Sequence, residues 1–430
     1  SSSSCLSSAP YRVDNLYLCS FPFIAAEQSM RKPILIVDPF STGALYGPAL
    51  QKLGYACYGV VSQAAPFSHY MLSYQGKGMA EAKLHSVDEI KKRFPIGTIE
   101  AVIAGAERGI YCAEKLAAYY GCLGNNPLTT DWRRKKAAMQ KRLCENGLSY
   151  IRSKILTKND CTFDGFESHS GYVVKPNDSA GSDGVLFFSN LEEVVTWTSE
   201  IDWKKKNIFD APNEAYLLQE RLEGEEYIVD AVVKGEAIKI CSLSRYKKGI
   251  HNGSTFVYET LDVLDSQDPS YAPLISYAKQ CIRVLGIEYG PAHMEIMQTA
   301  RGPVMIEVGA RLHGGIAPTL FAHCYEDDLL ESSVNLIAGV FSQTPSRFKK
   351  KGRIIFLINE IDGHIIKDVN VWRQKLHSWE NVVHFTLFFK ENEPLPLTID
   401  LNTCPAIIAI WGHSDDELSA LERVIRSNFL

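Results

Sequence analysis

Two apolar segments each carry a glutamate, and together the two carboxylates could hold a divalent cation. Glu295 lies in the segment 293–297, and Glu307 ends the segment 303–307. A hairpin centred on Arg301 would place the two side chains directly opposite each other, with Cβ atoms ~4.5–5.5 Å apart. Opposed carboxylates repel, so a cation should lie between them, and Mg2+ prefers one or two carboxylates together with phosphate oxygens and water. The alternative is two separately solvated glutamates, with a bulge that breaks this register.

An arginine and a histidine fall on the same predicted face as this pair. Strand alternation places Arg311 beside Glu307, where its guanidinium would attract phosphate oxygens. A salt bridge between Arg311 and a glutamate is the alternative. His293 precedes Glu295 by two residues and therefore faces the same side. There it either binds substrate or the transition state, or is a structural histidine whose hydrogen bonds are satisfied.

A lysine at a strand end precedes a loop of small residues. Lys175 follows the strand residues 172–174, and Pro176 after it keeps the chain extended. The loop 177–184 contains serines and glycines, so its backbone N–H groups can approach an anion closely. This arrangement predicts a phosphate site in which Lys175 contacts the reacting groups, and a plain hairpin is the alternative.

The segment 217–229 predicts a strand, a glycine turn and a second strand. An extended chain that leaves such a turn can offer free backbone groups to the edge of a flat heterocycle. Glu226 in the second strand could then bind ribose hydroxyls. An ordinary hairpin with exposed glutamates is the alternative.

Lys136 lies on the inward face of a predicted helix. The helix signals begin with an N-cap at residue 130 or 131 and end at 146–147. The apolar stripe of this helix includes Trp132 and Met139, and Lys136 lies on it, four residues after the first and three before the second. A lysine on such a face is unusual, and its ammonium group either extends to solvent or serves a site.

The elements that must position these residues begin with alternating strands and helices. Strands are predicted at 34–37, 56–61 and 101–104, and helices just before Gly54 and over 112–120. This alternation indicates a parallel sheet with crossover helices. The segment has neither a dinucleotide fingerprint nor a Walker A pattern, so it should carry no phosphate loop of its own.

The remainder of the chain is richer in predicted strands. Helices are predicted near 190–201 and 270–285, short apolar strands at 354–358 and 382–389, and a last amphipathic helix from about Asp415.

Composition excludes several classes of protein. The chain has 430 residues, 46% of them hydrophobic and 22% charged, as in ordinary globular proteins. Its net charge of −5 argues against nucleic-acid binding through bulk electrostatics, and no apolar run approaches the ~20 residues that span a bilayer. The 11 cysteines form no C-x-x-C pair, which indicates reduced thiols rather than a disulfide framework or a zinc site. These features predict a cytoplasmic enzyme with no nucleic-acid or membrane partner.

In their order along the chain, these motifs resemble those of the ATP-grasp superfamily. The stretches 290–295 and 306–315, together with 245–248 and 252–254, are most similar to its L-amino acid ligase branch. The resemblance implies two nucleotide lysines, a flexible phosphate loop, an adenine hinge and a ribose carboxylate, which fall on Lys136, Lys175, Ser179, Gly181, Ser182, Glu220, Arg221, Leu222 and Glu226.

The resemblance also implies that Glu295 and Glu307 are magnesium ligands and that Arg311 is the nearby arginine. Two positions depart from the pattern. Gly309 stands where many members carry an asparagine metal ligand, so either Glu307 bridges two ions alone or a second ion is held more weakly. Lys135 stands where an acidic residue is often found.

The fold class that the resemblance implies is α/β (α+β), an ATP-grasp fold. It should contain an N-terminal parallel-sheet α/β domain, a bipartite ATP-grasp core and a small C-terminal domain. The expected divisions are a loosely ordered leader or expression segment over 1–32, the N-terminal domain over 33–129, the core over 130–340 with a small lid at about 153–222, and a C-terminal α/β subdomain over 341–430.

The resemblance implies a reaction as well. The carboxylate of one substrate attacks the γ-phosphate of ATP to give ADP and an acyl phosphate, and the amine of a second substrate then displaces phosphate to form an amide. The expected substrates are two L-amino acids, the expected cofactors are ATP and Mg2+ or Mn2+, and a homodimer is one candidate assembly. Two alternatives stay open, namely coupling to an amine that is not an amino acid, and a nucleotide-binding protein that has lost catalysis.

Overall fold

The computed structural model describes residues 31–63, 74–177, 185–207 and 211–429. Almost all of the predicted leader lies outside these described residues. Three predicted phosphate-loop residues also lie outside them, namely Ser179, Gly181 and Ser182. Within the described ranges, no helix combines the length and the apolar character needed to cross a membrane.

The N-terminal part of the chain forms a parallel sheet. Its strands are β1 (Ile34–Val37), β2 (Cys57–Val60), β3 (Leu84–His85) and β4 (Ala101–Ala104). They pair in the order β3-β2-β1-β4, and every side chain of β1 is buried, as in parallel sheets that are covered on both faces. The helices of this part are α1 (Tyr46–Lys52), α2 (Val87–Arg93) and α3 (Ile110–Tyr120). The predicted parallel sheet with crossover helices is therefore confirmed.

The helix predicted over 130–147 is divided into two. These are α4 (Asp131–Arg134) and α5 (Lys136–Glu145). Between them Lys135 has an extended backbone, with φ of −102° and ψ of 117°. The prediction of one continuous helix was wrong, and the burial of Lys136 follows from its place at the start of α5 rather than from a stripe shared with Trp132.

A small antiparallel sheet follows. Its strands are β5 (Ser153–Thr157), β6 (Tyr172–Pro176), β7 (Leu186–Phe188) and β8 (Ala215–Glu220), and α6 (Leu191–Ser199) lies between β7 and β8 in the chain. The strands pair in the order β5-β8-β6-β7. Val194 of α6 packs against Val174 and Leu218 in the core of this sheet. The sheet therefore holds β6, which ends at Lys175 and Pro176.

Further strands lie downstream. They are β9 (Glu225–Lys234), β10 (Ala237–His251), β11 (Ser254–Leu264), β12 (Tyr289–Thr299), β13 (Gly302–Gly309), β14 (Tyr325–Glu326), β15 (Arg347–Phe348), β16 (Lys351–Phe356), β17 (His364–Ile365), β18 (Val382–Leu387), β19 (Pro394–Leu395) and β20 (Ala406–Gly412). Eight of them form one antiparallel sheet in the order β13-β12-β9-β10-β11-β16-β20-β18. The strands after residue 341 thus extend the sheet of the preceding segment, and the predicted domain boundaries stay a prediction.

The remaining helices are α7 (Ala272–Val284), α8 (Ala317–Cys324), α9 (Leu329–Ile337), α10 (Val369–Ser378) and α11 (Asp415–Phe429). The helices predicted near 190–201 and 270–285 and from Asp415 are confirmed. Residues of α7 form one apolar cluster with Met294 and Ile296 of β12. Because side chains alternate along a strand, this packing turns the residues between them to the opposite face of the sheet.

Candidate active site

β12 and β13 form the predicted hairpin and place the two glutamates opposite each other. Glu295 pairs with Glu307 across the strands. The turn was predicted wrongly, because Thr299 pairs with Gly302, which leaves two turn residues and moves the centre away from Arg301. A bulge between the turn and the glutamates then shifts the register by one residue. The bulge therefore brings the two glutamates opposite each other, whereas in the alternative considered above a bulge would have separated them.

The glutamate pair shares a cleft with positive charges. Lys136 Nζ lies 3.5 Å from Glu307 Oε2. Glu307 is half-buried, and although burial disfavours its charge, Lys136 and two further cations hold its pKa below the usual range. Glu295 is balanced less well, because burial and the adjacent charge of Glu307 raise its pKa well above the usual range. The positive charges around Glu295 therefore do not balance its negative charge, and a bound cation would do so.

Lys175 enters this cleft from β6 of the small sheet. Its side chain is buried, and burial lowers its pKa to about 8, although the charge of Glu307 acts in the opposite direction. A lysine with this pKa is mostly protonated at neutral pH, so it can bind a phosphate. An anionic ligand would raise the pKa and complete the protonation.

Asn177 fixes the two lysines relative to each other. The N–H of Lys136 donates to Asn177 O at 3.0 Å, and the N–H of Ala137 donates to Asn177 Oδ1 at 3.0 Å. The first turn of α5 is thus capped by the chain that has just left β6. Sequence reasoning missed this contact, because the only local signal is an amide side chain two residues after Lys175.

Arg311 lines the same cleft and is held by a glutamate of the N-terminal part. Its Nε donates to Glu107 Oε2 at 2.8 Å, and Glu107 Oε1 accepts from Arg134 at 3.0 Å. Glu107 follows β4 in a short 3-10 helix, Glu107–Gly109. The salt bridge considered for Arg311 does exist, but its partner is Glu107 rather than a hairpin glutamate. Sequence reasoning missed Glu107 because 204 residues separate the two.

Gly309 lies beneath this ion pair. A Cβ atom at residue 309 would be 2.9 Å from Glu107 Oε2 and 3.2 Å from Arg311 Nε. An asparagine there would have to displace the ion pair. Glu107 and Arg311 therefore lie next to the place where the superfamily pattern has an asparagine side chain.

His293 also lines the cleft, beside Glu307 and Arg311. Its Nδ1 donates to Asp230 Oδ1 at 2.9 Å, so the ring is held from behind by β9. Burial and the neighbouring His313 lower the pKa of His293 to about 4, which keeps its imidazole neutral at pH 7. His293 thus has one hydrogen-bonded, buried nitrogen and a ring that lines the cleft, and its role toward the substrate stays a prediction.

The predicted adenine hinge lies between β8 and β9. The Glu220 carboxylate accepts from Arg301 at 2.9 Å, so it is engaged in an ion pair. The N–H of Arg221 donates to Gly171 O at 3.0 Å, so it is not free to bind a base. Leu222 is half-buried in the connection itself. The N–H of Glu220 donates to Arg152 O at 3.1 Å, so the backbone N–H groups of both Glu220 and Arg221 are already used.

The predicted ribose carboxylate, Glu226, is buried at the start of β9. It accepts hydrogen bonds from Lys248 Nζ at 2.6 Å and from Tyr258 Oη at 3.1 Å. Its charge also acts on the pKa values of Lys175 and Glu295, so the Glu226 carboxylate lies near both residues. Lys248 on β10 lies in a stretch that resembles the L-amino acid ligase branch, although no role was predicted for it, and Tyr258 on β11 was missed.

The chain is similar to several known proteins. The ATP-grasp domain family matches residues 169–319. Dapdiamide A synthase from Enterobacter agglomerans is 31% identical over 302 residues, which cover 68% of this chain and 70% of that protein.

This chain belongs to the ATP-grasp family.

Other members extend the comparison to lower identity. The L-arginine-specific L-amino acid ligase of Bacillus subtilis is 23% identical over 246 residues, which cover 56% of this chain and 58% of that ligase. The crystal structure of the L-amino acid ligase from Bacillus licheniformis superposes with a TM-score of 0.70 and 16% identity, over 92% of this chain and 97% of the other. That of carboxyaminoimidazole ribonucleotide synthase from Aspergillus clavatus, complexed with ATP, has a TM-score of 0.64 and 12% identity, over 92% and 99%.

The ATP-grasp fold predicted from the motifs is confirmed. The chain is an ATP-dependent ligase that forms carbon–nitrogen bonds. The roles of the individual residues of this ATP-grasp site, and the identity of its substrates, stay predictions.

Proposed function

We propose that this ligase joins two L-amino acids through an acyl phosphate of the first. The observation that carries the proposal is that Lys136, Lys175 and Arg311 meet the opposed Glu295 and Glu307 around one cleft. Three fixed cations suit a polyphosphate and a carboxylate, which carry the opposite charge. The amino acid substrates are supported by the relative from Bacillus subtilis, which is an L-amino acid ligase.

The two glutamates fit Mg2+, with Mn2+ as a substitute. Both are oxygen donors on facing strands, and the raised pKa of Glu295 marks a carboxylate whose charge the protein does not balance. Glu295 and Glu307 would hold the ion. When bound, it supplies charge neutralisation for the phosphate oxygens of ATP.

The two lysines bind the phosphates that do not react. Lys136 and Lys175 would contact the α- and β-phosphates and keep the γ-phosphate in line with the attacking carboxylate. In phosphoryl transfer the protein contributes positioning and charge neutralisation rather than covalent chemistry. The Asn177 cap fixes the spacing of the two lysines before any ligand binds, so little rearrangement is needed at the moment of reaction.

Arg311 stabilises the charge that develops on the carboxylate and on the γ-phosphoryl oxygens. Its Nε is committed to Glu107, and one terminal nitrogen donates to the carbonyl of Leu312 at 2.9 Å. These contacts fix the plane of the guanidinium and aim it before substrate binds. A fixed donor of this kind contributes about 3–4 kcal/mol to the transition state in other enzymes.

His293 lines the cleft and acts in the second step, in which the amine attacks the acyl phosphate. The amine nitrogen bonds to the acyl carbon, the bond from that carbon to the phosphate oxygen breaks, and the leaving phosphate takes up the proton that the amine nitrogen loses. The neutral ring of His293 offers the cleft a hydrogen-bonding nitrogen without repelling the cations around it.

A cytoplasmic location and a homodimer are the remaining predictions. The cysteines that the structure describes, such as Cys57 and Cys241, are all free, which agrees with a reducing compartment. The homodimer has no such support, and sedimentation velocity tests it.

ADP release measured against a matrix of amino acid pairs tests the proposed function. We expect turnover only when one amino acid supplies a carboxylate and a second supplies an amine. Turnover with one carboxylate and an amine that is not an amino acid would contradict the dipeptide product and support the alternative ligase. If no combination released ADP while ATP still bound, the chain would be a nucleotide-binding protein without catalysis.

A further inference from the structure

Asp230 is a buried carboxylate directly behind the cleft. It lies on β9, opposite His293 on one neighbouring strand and Ser242 on the other, and none of its surface is exposed. It accepts a hydrogen bond from His293 Nδ1 at Oδ1 (2.9 Å) and, at Oδ2, from His313 Nδ1 (2.9 Å) and Ser242 Oγ (3.2 Å). Three side chains therefore converge on one carboxylate.

The chemistry of a carboxylate decides where the two imidazoles carry their protons. An ionised Asp230 only accepts hydrogen bonds, so both histidines must place a proton on Nδ1. Burial opposes the charge of Asp230, yet the adjacent imidazoles hold its pKa below the usual range, so the acceptor state is the stable one. In a neutral imidazole with Nδ1 protonated, Nε2 has a lone pair and no proton.

The two histidines differ in what their free nitrogens can reach. His293 lines the cleft beside Glu307 and Arg311. His313 packs against His293, with ring centroids 4.3 Å apart, and against Phe321 at 5.4 Å. His313 is not among the described residues that line this cleft. Of the two, His293 is therefore the one whose ring lines the cleft, with its Nε2 left over from the contact with Asp230.

We propose that Asp230 is a positioning residue that holds His293 in the Nδ1–H tautomer, so that Nε2 accepts a hydrogen bond from the N–H of the attacking amine. The inference deepens the proposed function and rests on its second step. An attacking amine directs its lone pair at the acyl carbon, so its N–H groups point away and need acceptors. The other tautomer would present an N–H to these groups and repel them.

The tautomer can be measured directly, without substrate and without a variant of Asp230. In enzyme labelled with 15N-histidine, long-range 1H–15N correlation spectra distinguish Nδ1–H from Nε2–H, and His293→Gln and His313→Gln assign the two rings. We expect Nδ1–H for His293 in the wild-type enzyme and a substantial population of Nε2–H in Asp230→Asn. An Nε2–H tautomer of His293 in the wild-type enzyme would overturn the inference.

A split between the two half-reactions tests the consequence for catalysis. In Asp230→Asn, positional isotope exchange in γ-18O-labelled ATP with the carboxylate substrate alone should stay within about twofold of wild type. The KM for the amine should rise and amine-dependent turnover should fall about tenfold or more, as when the partner of a site histidine is removed. An equal loss in both half-reactions would indicate a merely structural role and contradict the inference.

A double-mutant cycle shows whether Asp230 acts through His293. The variant Asp230→Asn with His293→Gln should lose no more turnover than His293→Gln alone, whereas additive losses would overturn the inference. The matched control is Ser242→Ala, which removes one hydrogen bond from Asp230 and leaves both histidine contacts. We expect it to keep the Nδ1–H tautomer and near wild-type amine kinetics. If the proposed function were wrong, the wild-type enzyme itself would show no amine-dependent turnover, while the tautomer measurement would still decide the role of Asp230.

Discussion

Asp230 and the pair Glu295–Glu307 are carboxylates on adjacent strands of one sheet, and they differ in what balances their charge. Asp230 is fully buried and accepts hydrogen bonds from three protein side chains. The two glutamates are half-buried and face each other, with one lysine in contact. Burial opposes the charge in both places, yet the pKa of Asp230 is lowered. Within the pair, nearby cations lower the pKa of Glu307, while that of Glu295 is raised.

The protein itself satisfies the charge and the hydrogen bonds of Asp230. The charge of the glutamate pair is satisfied only in part, so a ligand can bind there. A buried carboxylate that has all its hydrogen bonds holds its surroundings in place. A carboxylate left beside another of like charge stores repulsion that a bound cation removes. Removing Asp230 should therefore cost stability as well as amine-dependent turnover, while removing a glutamate of the pair should cost ADP formation and little stability.

The largest expected effect comes from Glu307→Gln. We expect ADP formation to fall by about 1,000-fold, because the change removes a metal carboxylate and leaves the cleft cations without their counter-charge. The free energy of unfolding should change by less than about 1 kcal/mol, because the repulsion with Glu295 is relieved at the same time. The measurement is coupled ADP release at saturating substrates.

The control for this variant is Glu326→Gln, which removes a carboxylate from an exposed ion pair with Arg347. It should leave ADP formation unchanged, since exposed ion pairs contribute little. Undiminished turnover in Glu307→Gln would contradict the assignment of the glutamate pair.

The second effect is on stability. Asp230→Asn should lower the free energy of unfolding by about 3 kcal/mol, because one partner of a buried charged network is removed. Glu295→Gln should leave it unchanged or raise it, because a carboxylate beside Glu307 is neutralised. Chemical denaturation at pH 7 measures the free energy of unfolding of both variants. A larger loss of this free energy in Glu295→Gln than in Asp230→Asn would contradict the prediction.

A smaller effect is expected on the affinity for ATP when pH changes the protonation of Lys175. Its pKa of about 8 is low because of burial, and a bound phosphate would raise it. Above that pH the free protein has a neutral lysine, so ATP binding must take up a proton, and the affinity falls as pH rises. Calorimetric titration should show the Kd for ATP increasing about tenfold from pH 7 to pH 9.

Lys175→Arg is the matched variant, because a guanidinium keeps its proton over this range. It should remove the pH dependence and keep measurable binding. A wild-type Kd that is constant between pH 7 and pH 9 would show that Lys175 is not at the nucleotide.

The smallest effect is expected at Gly309. Gly309→Ala places a methyl group 2.9 Å from the Glu107 carboxylate, so this carboxylate and Arg311 must move by a few tenths of an ångström. We expect turnover to fall about threefold to tenfold through kcat, as when a transition-state donor is slightly misplaced. Gly314→Ala is the control, because a Cβ there meets no atom within 4 Å. Equal activity of the two variants would show that the aim of Arg311 does not matter.

The sequence was sufficient for features that depend on neighbours along the chain. The parallel sheet, the facing glutamates and the strand that ends at Lys175 all follow from short patterns of side chains. The hairpin shows the limit of this reasoning, because the centre of the turn was misplaced by half a residue and a bulge restored the predicted pairing of the glutamates. The continuous helix failed at Lys135 because its cap, Asn177, comes from another segment.

The site residues that sequence reasoning missed are those whose partners are distant in the chain. Glu107 meets Arg311 across 204 residues, and Asp230 meets His293 across 63. No local pattern marks either residue, since one is a glutamate after a strand and the other is an aspartate inside an apolar strand. Their roles appear only when the fold brings the partners together.

We propose that the protein leaves part of the negative charge of the Glu295–Glu307 pair unbalanced, and that a nucleotide-bound metal ion balances it. Electron paramagnetic resonance of Mn2+ titrated with a non-hydrolysable ATP analogue tests it most directly. We predict that the wild-type enzyme and Asp230→Asn show protein-bound Mn2+ and that the double variant Glu295→Gln, Glu307→Gln shows none. Equal Mn2+ binding by the wild type and the double variant would contradict the claim.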